Sequence, residues 1–117
     1  MESILFIMPI STGPILVIAG YILLKKPPKE INQFYGYRTH LAMKSQAHWD
    51  FAQAYSAKRM MFWGVVYTLS SLLAFIIELD IKTELFLGFV LCIGFILIPI
   101  VETQKALKKK FNENENN

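Results

Sequence analysis

Apolar residues in this chain form three long blocks, at 4–24, 60–77 and 85–101, and none of the blocks contains Asp, Glu, Lys, Arg or His. A helix rises about 1.5 Å per residue, so the first block can cross roughly 30 Å of hydrocarbon and the others come close to that length. A soluble domain would instead mix apolar and polar residues at a helical or strand period. The pattern predicts an all-α membrane protein with three transmembrane helices in a single domain.

Polar segments join and follow these predicted spans. The segment 78–84 is short, so the second and third spans are expected to form a helical hairpin. The first span precedes a Lys-Lys-Pro-Pro run rather than a small-residue cleavage site, which favours a retained helix over a cleaved signal peptide. Pro9, Gly13 and Pro14 are expected to kink or loosen that span, and neighbouring helices make such breakers tolerable in a membrane.

Lysine and arginine lie almost entirely on one side of the predicted spans. The loop 25–59 holds seven of them and the segment after the third span holds four, against one in the segment 78–84. Because cytoplasmic segments carry the excess of Lys and Arg, we expect the long loop and the C-terminus in the cytoplasm and the N-terminus outside. The basic tail 102–117 either anchors this topology or binds anionic lipid, and its last residues, 112–117, are expected to be disordered.

The loop between the first two spans has features that a plain linker does not need. It begins with a Pro-Pro pair that favours extended backbone, and Gly36 between two tyrosines indicates a bend. From Ser45, a favourable N-cap residue, the pattern becomes helical and continues into the second span. It predicts a cytoplasmic interfacial amphipathic helix with aromatic rings among lipid headgroups. The residues at helical spacing are Trp49, Ala52, Ser56, Met60 and Trp63, and Tyr55 is a further expected headgroup residue.

Groups that could carry chemistry are few. His40 and His48 have no further ligands nearby, and Cys92 is a lone thiol in the third span. With no nucleophile elbow or glycine-rich phosphate loop, we expect no enzymatic activity, no metal, no cofactor and no nucleic-acid partner. The uncharged spans argue against a self-sufficient transporter. Arg38 could bind a lipid phosphate or a partner's carboxylate, or it could tether the loop to Asp50 or to a helix C-terminus.

A set of residues centred on the loop stands at a specific spacing. Seven of them, which we call the loop motif, are Asn32, Gly36, Tyr37, Arg38, Thr39, Trp49 and Gln53. They are accompanied by Pro27, Pro28, Ala42, Met43, Ser45, Ala52, Gly64, the run from Pro99 to Thr103, and Leu107, Lys108 and Lys109. Over roughly residues 20–111 this pattern resembles the SdpI family of bacterial membrane proteins of immunity type.

The resemblance implies a role in the bacterial cell membrane. It implies that the protein protects the cell from a membrane-acting peptide toxin by binding it, and that it signals by holding a cytosolic regulator at the membrane. The family member with these roles resembles a six-span chain, whereas this chain has only the unit of three predicted spans.

On this interpretation, the segments 1–8 and 78–84 meet the toxin from outside. Asn32 and Gly36 shape the turn, Arg38 holds carbonyls or a carboxylate, and Trp49 anchors the amphipathic helix. The alternative is a lipid-binding or envelope-stress accessory protein whose Arg and Lys residues contact headgroups.

Overall fold

The computed structural model describes residues 4–111, and in that range the chain is helical and contains no β-strand. The all-helical class predicted from the sequence is therefore confirmed. The predicted disorder of 112–117 and the first three residues of the predicted outer face lie outside the described residues. The elements in chain order are helix α1 (Ile4–Lys25), helix α2 (Gln46–Ser70), a 3₁₀ helix (Ser71–Phe75) and helix α3 (Ile81–Lys110).

Helices α1 and α3 are each long and apolar enough to cross a membrane. Their large apolar side chains point outward: Ile15 on α1 is 63% exposed and Phe86 on α3 is 68% exposed. Extended apolar surface of this kind is unfavourable in water and suits contact with lipid chains. Helix α1 continues as one helix through Pro9 and Pro14. These two helices indicate a membrane protein.

The predicted second span, 60–77, is divided between the second half of α2 and the 3₁₀ helix. The change of helix type falls between Ser70 and Ser71. The hydroxyl of Ser70 donates to the carbonyl of Tyr67 at 2.5 Å, and the N–H of Ser71 bonds to Thr68, three residues back, as in a 3₁₀ helix. Among the described helices, only α1 and α3 combine the length and hydropathy of a span, so the three-span topology stays a prediction.

Helices α1 and α2 run antiparallel with their backbones in close contact. A Cβ atom added at Gly13 would lie 2.0 Å from Thr68 Oγ1, and one added at Gly64 would lie 2.9 Å from the Gly13 carbonyl oxygen. Two helical turns further along, a Cβ at Gly20 would lie 2.7 Å from the carbonyl oxygen of Ala57. Small residues permit this approach where helices pack in lipid. The α1–α2 pair is therefore a tight unit on which α3 packs.

Helix α3 extends past both predicted ends of the third span, 85–101. The turn predicted at 78–84 is shorter, because α3 begins at Ile81. The segment predicted as a basic tail is helical as far as Lys110, and its Leu107 is fully buried against Ala42 and Ala52. Leu107, an apolar residue among the lysines of this segment, thus holds the last turns of α3 against the rest of the protein.

Candidate functional site

Residues 26–45 join α1 to α2 and fold compactly at one end of the bundle, which we call the loop end. Asn32 organises the first turn: its Oδ1 accepts hydrogen bonds from the backbone N–H groups of Phe34 and Tyr35, each at 2.8 Å. An Asx turn of this kind satisfies backbone groups that no helix satisfies. Tyr35 then donates from Oη to the carbonyl of Lys26 at 2.8 Å, which ties the turn back to the end of α1.

Gly36 follows this turn with a positive φ of 105°, a conformation that side-chain-bearing residues rarely adopt. The space around it is also closed. A Cβ atom here would lie 2.5 Å from Gln53 Oε1 and 2.7 Å from Pro28 Cγ. Backbone conformation and packing therefore both require glycine at this position.

Gln53, on the buried face of α2, fixes the loop by two hydrogen bonds to one residue. Its Oε1 accepts from the N–H of Tyr37 at 2.7 Å, and its Nε2 donates to the carbonyl of Tyr37 at 2.8 Å. The side chain is almost completely buried. The Gln53 amide thus gives the backbone of Tyr37 the acceptor and the donor that a neighbouring β-strand would supply. These bonds form at a side chain that is closed to water.

Trp49 is placed differently from the headgroup position expected for it. Its side chain is fully buried inside the protein, and its indole Nε1 donates to the carbonyl of Pro28 at 2.8 Å. A buried indole N–H needs a partner, and the extended Pro-Pro segment offers a carbonyl that no helix uses. Gln46 donates to the carbonyl of the next residue, Lys29, at 2.6 Å. The face of α2 that carries Gln46 and Trp49 therefore lies against the loop.

Two further motif side chains reach α3. The phenol oxygen of Tyr37 lies 2.7 Å from Gln104 Oε1 and 3.1 Å from the carbonyl oxygen of Ile100. Thr39 Oγ1 donates to the same Gln104 Oε1 at 2.7 Å and accepts from the N–H of Ala42. Burial raises the pKa of Tyr37 to about 12, so the phenol keeps its proton at ordinary pH. The loop is therefore bonded to α3 as well as to α2.

Arg38 is exposed and donates from Nη1 to the carbonyl of Gln33 within the same loop. This contact is of the backbone-carbonyl kind that the sequence suggested. Asp50, the carboxylate considered as its partner, accepts from Gln46 at 2.7 Å. The guanidinium of Arg38 therefore stabilises the loop through this bond, while much of the arginine side chain stays exposed.

A second polar cluster joins α2 to α3 near the loop end. Arg59 Nε lies 2.8 Å from Glu102 Oε1 and Arg59 Nη2 lies 3.1 Å from Glu102 Oε2, a bidentate pair. The indole N–H of Trp63 donates to Glu102 Oε1 at 2.7 Å. Sequence reasoning missed this cluster. The available signal was a pair of opposite charges at the adjoining ends of two predicted spans.

His48 occupies a structural position at the start of α2, whereas His40 is exposed in the loop. His48 Nδ1 lies 2.6 Å from Ser45 Oγ, and its ring stacks on Phe111 with centroids 3.9 Å apart. Ser45 also accepts from the backbone N–H of His48, which confirms it as the N-cap of α2. Within residues 4–111, no group of three or more His, Cys, Asp or Glu side chains is arranged to hold a metal ion.

An apolar crevice of about 310 Å³ lies directly beneath the loop motif. Its walls come from α1 and α3, its floor comes from α2, and its roof is the segment 35–37. None of its lining residues is charged, so it suits an apolar group that arrives through the bilayer. The lining residues are Leu16, Ala19, Leu23, Tyr35, Gly36, Tyr37, Ser56, Met60, Ile96, Pro99 and Ile100.

Comparison with known proteins matches much of the chain to one family. Residues 29–102 match the model of the SdpI/YfhL protein family. The chain is 37% identical over 97 residues to the uncharacterized protein YfhL of Bacillus subtilis (strain 168), an alignment that covers 82% of each chain. No solved structure matches the chain. The matched segment contains the whole loop motif and both members of the Arg59–Glu102 pair.

Proposed function

The chain belongs to the SdpI/YfhL protein family, and we propose that it protects its cell by binding a membrane-acting peptide toxin. Family membership points to an immunity-type membrane protein. The observation that carries the toxin-binding role is the apolar crevice roofed by the loop motif. The protein would lie in the bacterial cell membrane with its N-terminus outside and its loop end in the cytoplasm, the orientation that its lysines and arginines favour.

A toxin that moves laterally within the bilayer would reach the crevice from the lipid. A membrane-active peptide is helical in lipid because its backbone groups must bond internally, so it offers its side chains for recognition. Apolar side chains gain little by leaving lipid for protein, and affinity must come from close packing. The crevice between Leu16 and Leu23 of α1 and Ile96 and Ile100 of α3 provides the required concave surface.

The loop motif would make this surface rigid. Gly36 and Tyr37 form part of the roof, Gln53 holds Tyr37 from α2, and Gln104 holds it from α3. A roof bonded to two helices loses little freedom when a ligand enters, which favours binding. The motif would thus serve recognition indirectly, by holding the walls at a fixed separation.

Binding rather than catalysis fits the polar groups that line the crevice. Ser56 Oγ donates to the carbonyl of Gln53, and the Tyr37 phenol bonds to α3. Neither group is adjacent to a base in the lining. We therefore propose that the toxin is held intact and kept from its target.

A protection assay tests the proposal. Cells sensitive to peptide toxins would express the chain and be challenged with candidate peptides, including any toxin encoded beside its gene. Ala19→Phe places a ring in the crevice, whereas the neighbouring Ile18→Phe places the same ring on an outward face where Ile18 is 58% exposed.

Protection should fall by about tenfold or more in Ala19→Phe and persist in Ile18→Phe at equal expression, the size expected when one packed anchor is lost. Absence of protection by the native chain against every candidate peptide would contradict the toxin-binding role. Equal protection by both variants would contradict its assignment to the crevice.

A signalling role would use the outer surface of the loop. Phe34 is 92% exposed and Arg38, in the same loop, is exposed too; aromatic and arginine side chains are enriched at protein contact sites. We propose that a cytosolic regulator binds here. Phe34→Ala should abolish the toxin-dependent change in transcription of the neighbouring genes and leave protection intact. An unchanged transcriptional response would contradict this surface as the regulator site.

A further inference from the structure

A second groove lies at the loop end, on a different face from the crevice, between the first half of α2 and the last turns of α3. It has a volume of about 730 Å³. Helix α2 contributes two stacked aromatic rings, Phe51 and Tyr55, with centroids 5.4 Å apart. Helix α3 contributes Glu102, Lys105, Ala106, Lys109 and Lys110. The groove therefore has an aromatic wall facing a lysine-rich wall.

The charge of this groove is positive. Its carboxylate, Glu102, already accepts hydrogen bonds from Arg59 and Trp63, so its charge is compensated within the protein. Lys105 and Lys109 stand four residues apart and share one face of α3. Lys110 Nζ lies 5.3 Å from the ring centroid of Phe51, which holds this ammonium group at the edge of the groove.

The position of the groove along α3 indicates which anion it would meet. Lys105 lies about 6 Å and Lys109 about 12 Å past the apolar segment 85–101, measured along the helix axis. The polar layer on each side of a bilayer is roughly 5–8 Å thick, and lysine side chains reach back toward it. The ammonium groups of the groove therefore lie at the level of lipid phosphates when α3 crosses the membrane.

We propose that this groove is a binding site for the phosphate headgroup of an anionic phospholipid. The lysines would hold the phosphate, the rings of Phe51 and Tyr55 would cover the glycerol region, and the acyl chains would follow the apolar surface of α3. The site is separate from the crevice and does not depend on toxin binding.

Lipid titration of the purified full chain in neutral detergent tests this site, with phosphatidylglycerol and phosphatidylcholine as probes and native mass spectrometry as readout. Lys105→Gln/Lys109→Gln/Lys110→Gln removes the charge of the groove. Lys25→Gln/Lys26→Gln/Lys29→Gln is its matched control, since it removes the same charge elsewhere at the loop end. Ala106→Phe narrows the groove and leaves every lysine in place.

Phosphatidylglycerol should bind at least about tenfold more tightly than phosphatidylcholine. The triple variant at positions 105, 109 and 110 should bind phosphatidylglycerol about 100-fold more weakly, at about fivefold for each lysine. The control variant at positions 25, 26 and 29 should lose less than about threefold in the same affinity. Ala106→Phe should bind phosphatidylglycerol about tenfold more weakly, although its charge and helical content are unchanged.

Three results would overturn the site. Equal losses in the two triple variants would show diffuse attraction by the whole loop end. Equal binding of the two lipids would show that no headgroup is recognised. Displacement of phosphatidylglycerol by inorganic phosphate at equal concentration and matched ionic strength would show a site for a soluble anion instead of a lipid.

Discussion

The loop end and the apolar body of α1 and α3 are held in place by different interactions. At the loop end, Trp49 and Leu107 have no exposed surface and are covered by other parts of the chain. In the apolar body, Ile15 and Phe86 are 63% and 68% exposed. The loop end is therefore stabilised by contacts within the protein, whereas the apolar body requires lipid as its solvent.

This difference explains where residue identity matters most. An outward-facing residue in lipid can be exchanged for another apolar one because its neighbours are fluid chains. At the loop end, Gln53 and Tyr37 must match each other in hydrogen-bond donors and acceptors. Substitutions of similar size should consequently have unequal effects in the two regions.

The largest expected effect is that of Trp49→Ala. Removing the indole leaves a cavity and takes the donor away from the Pro28 carbonyl, so the free energy of unfolding should fall by about 3–5 kcal/mol. Ile15→Ala, in the apolar body, should lower it by less than about 1 kcal/mol. Denaturant unfolding in detergent followed by circular dichroism measures both, and equal losses would remove the distinction between the regions.

Gly36→Ala should rank next. The positive φ costs about 1–2 kcal/mol for a residue with a Cβ atom, and displacement of Gln53 adds to this, for a total of about 2–4 kcal/mol. Gly94→Ala is the matched control, because a Cβ at that helical glycine meets open space. It should be neutral or stabilise α3 by up to about 1 kcal/mol. Similar destabilisation by both substitutions would contradict the role given to Gly36.

The Arg59–Glu102 pair should have an intermediate effect, because each side chain is 30% exposed and partly screened. A double-mutant cycle of Arg59→Ala and Glu102→Ala should give a coupling free energy of about 1 kcal/mol. Glu102→Ala alone should cost more than Arg59→Ala, since Trp63 also loses its acceptor. A coupling energy near zero would mean that the pair does not hold α2 to α3.

Tyr37→Phe should have the smallest effect, about 0.5 kcal/mol at neutral pH from the lost bond to α3, because Gln104 Oε1 keeps the hydrogen bond from Thr39. Its pH dependence is more informative. Burial raises the pKa of Tyr37 to about 12, and a phenol in the unfolded chain ionises near pH 10. The unfolded state therefore releases its proton first, and the stability advantage of Tyr37 over Phe should decline as pH rises from 10 toward 12. Parallel pH profiles for the two proteins would contradict the burial of this phenol.

The parts of the fold that follow from composition were predictable from sequence. Unbroken apolar length predicted α1 and α3, and a serine before a helical pattern predicted the N-cap of α2. The change from α2 to a 3₁₀ helix at Ser71 was not predicted, because it falls inside an apolar segment. Apolar length alone carries no information about helix type.

The contacts at the loop end were less predictable. Motif spacing placed Asn32, Gly36 and Gln53 in one structural element, but it could not pair Gln53 with the backbone of Tyr37. The acceptor for Tyr37 and Thr39, Gln104, lies more than sixty residues away in a segment that appeared to be a tail. Trp49 was expected in the headgroups because amphipathic periodicity does not show whether a helix face meets lipid or protein.

Site-directed photo-crosslinking tests the central claim most directly. A photoreactive amino acid would replace Ala19, which lines the crevice, or Ile18, which does not, in cells that the chain protects from a peptide toxin. Binding in the crevice predicts a crosslinked adduct between the chain and the toxin from position 19 and little or none from position 18. Equal adduct from both positions, or none from position 19 in protected cells, would contradict it.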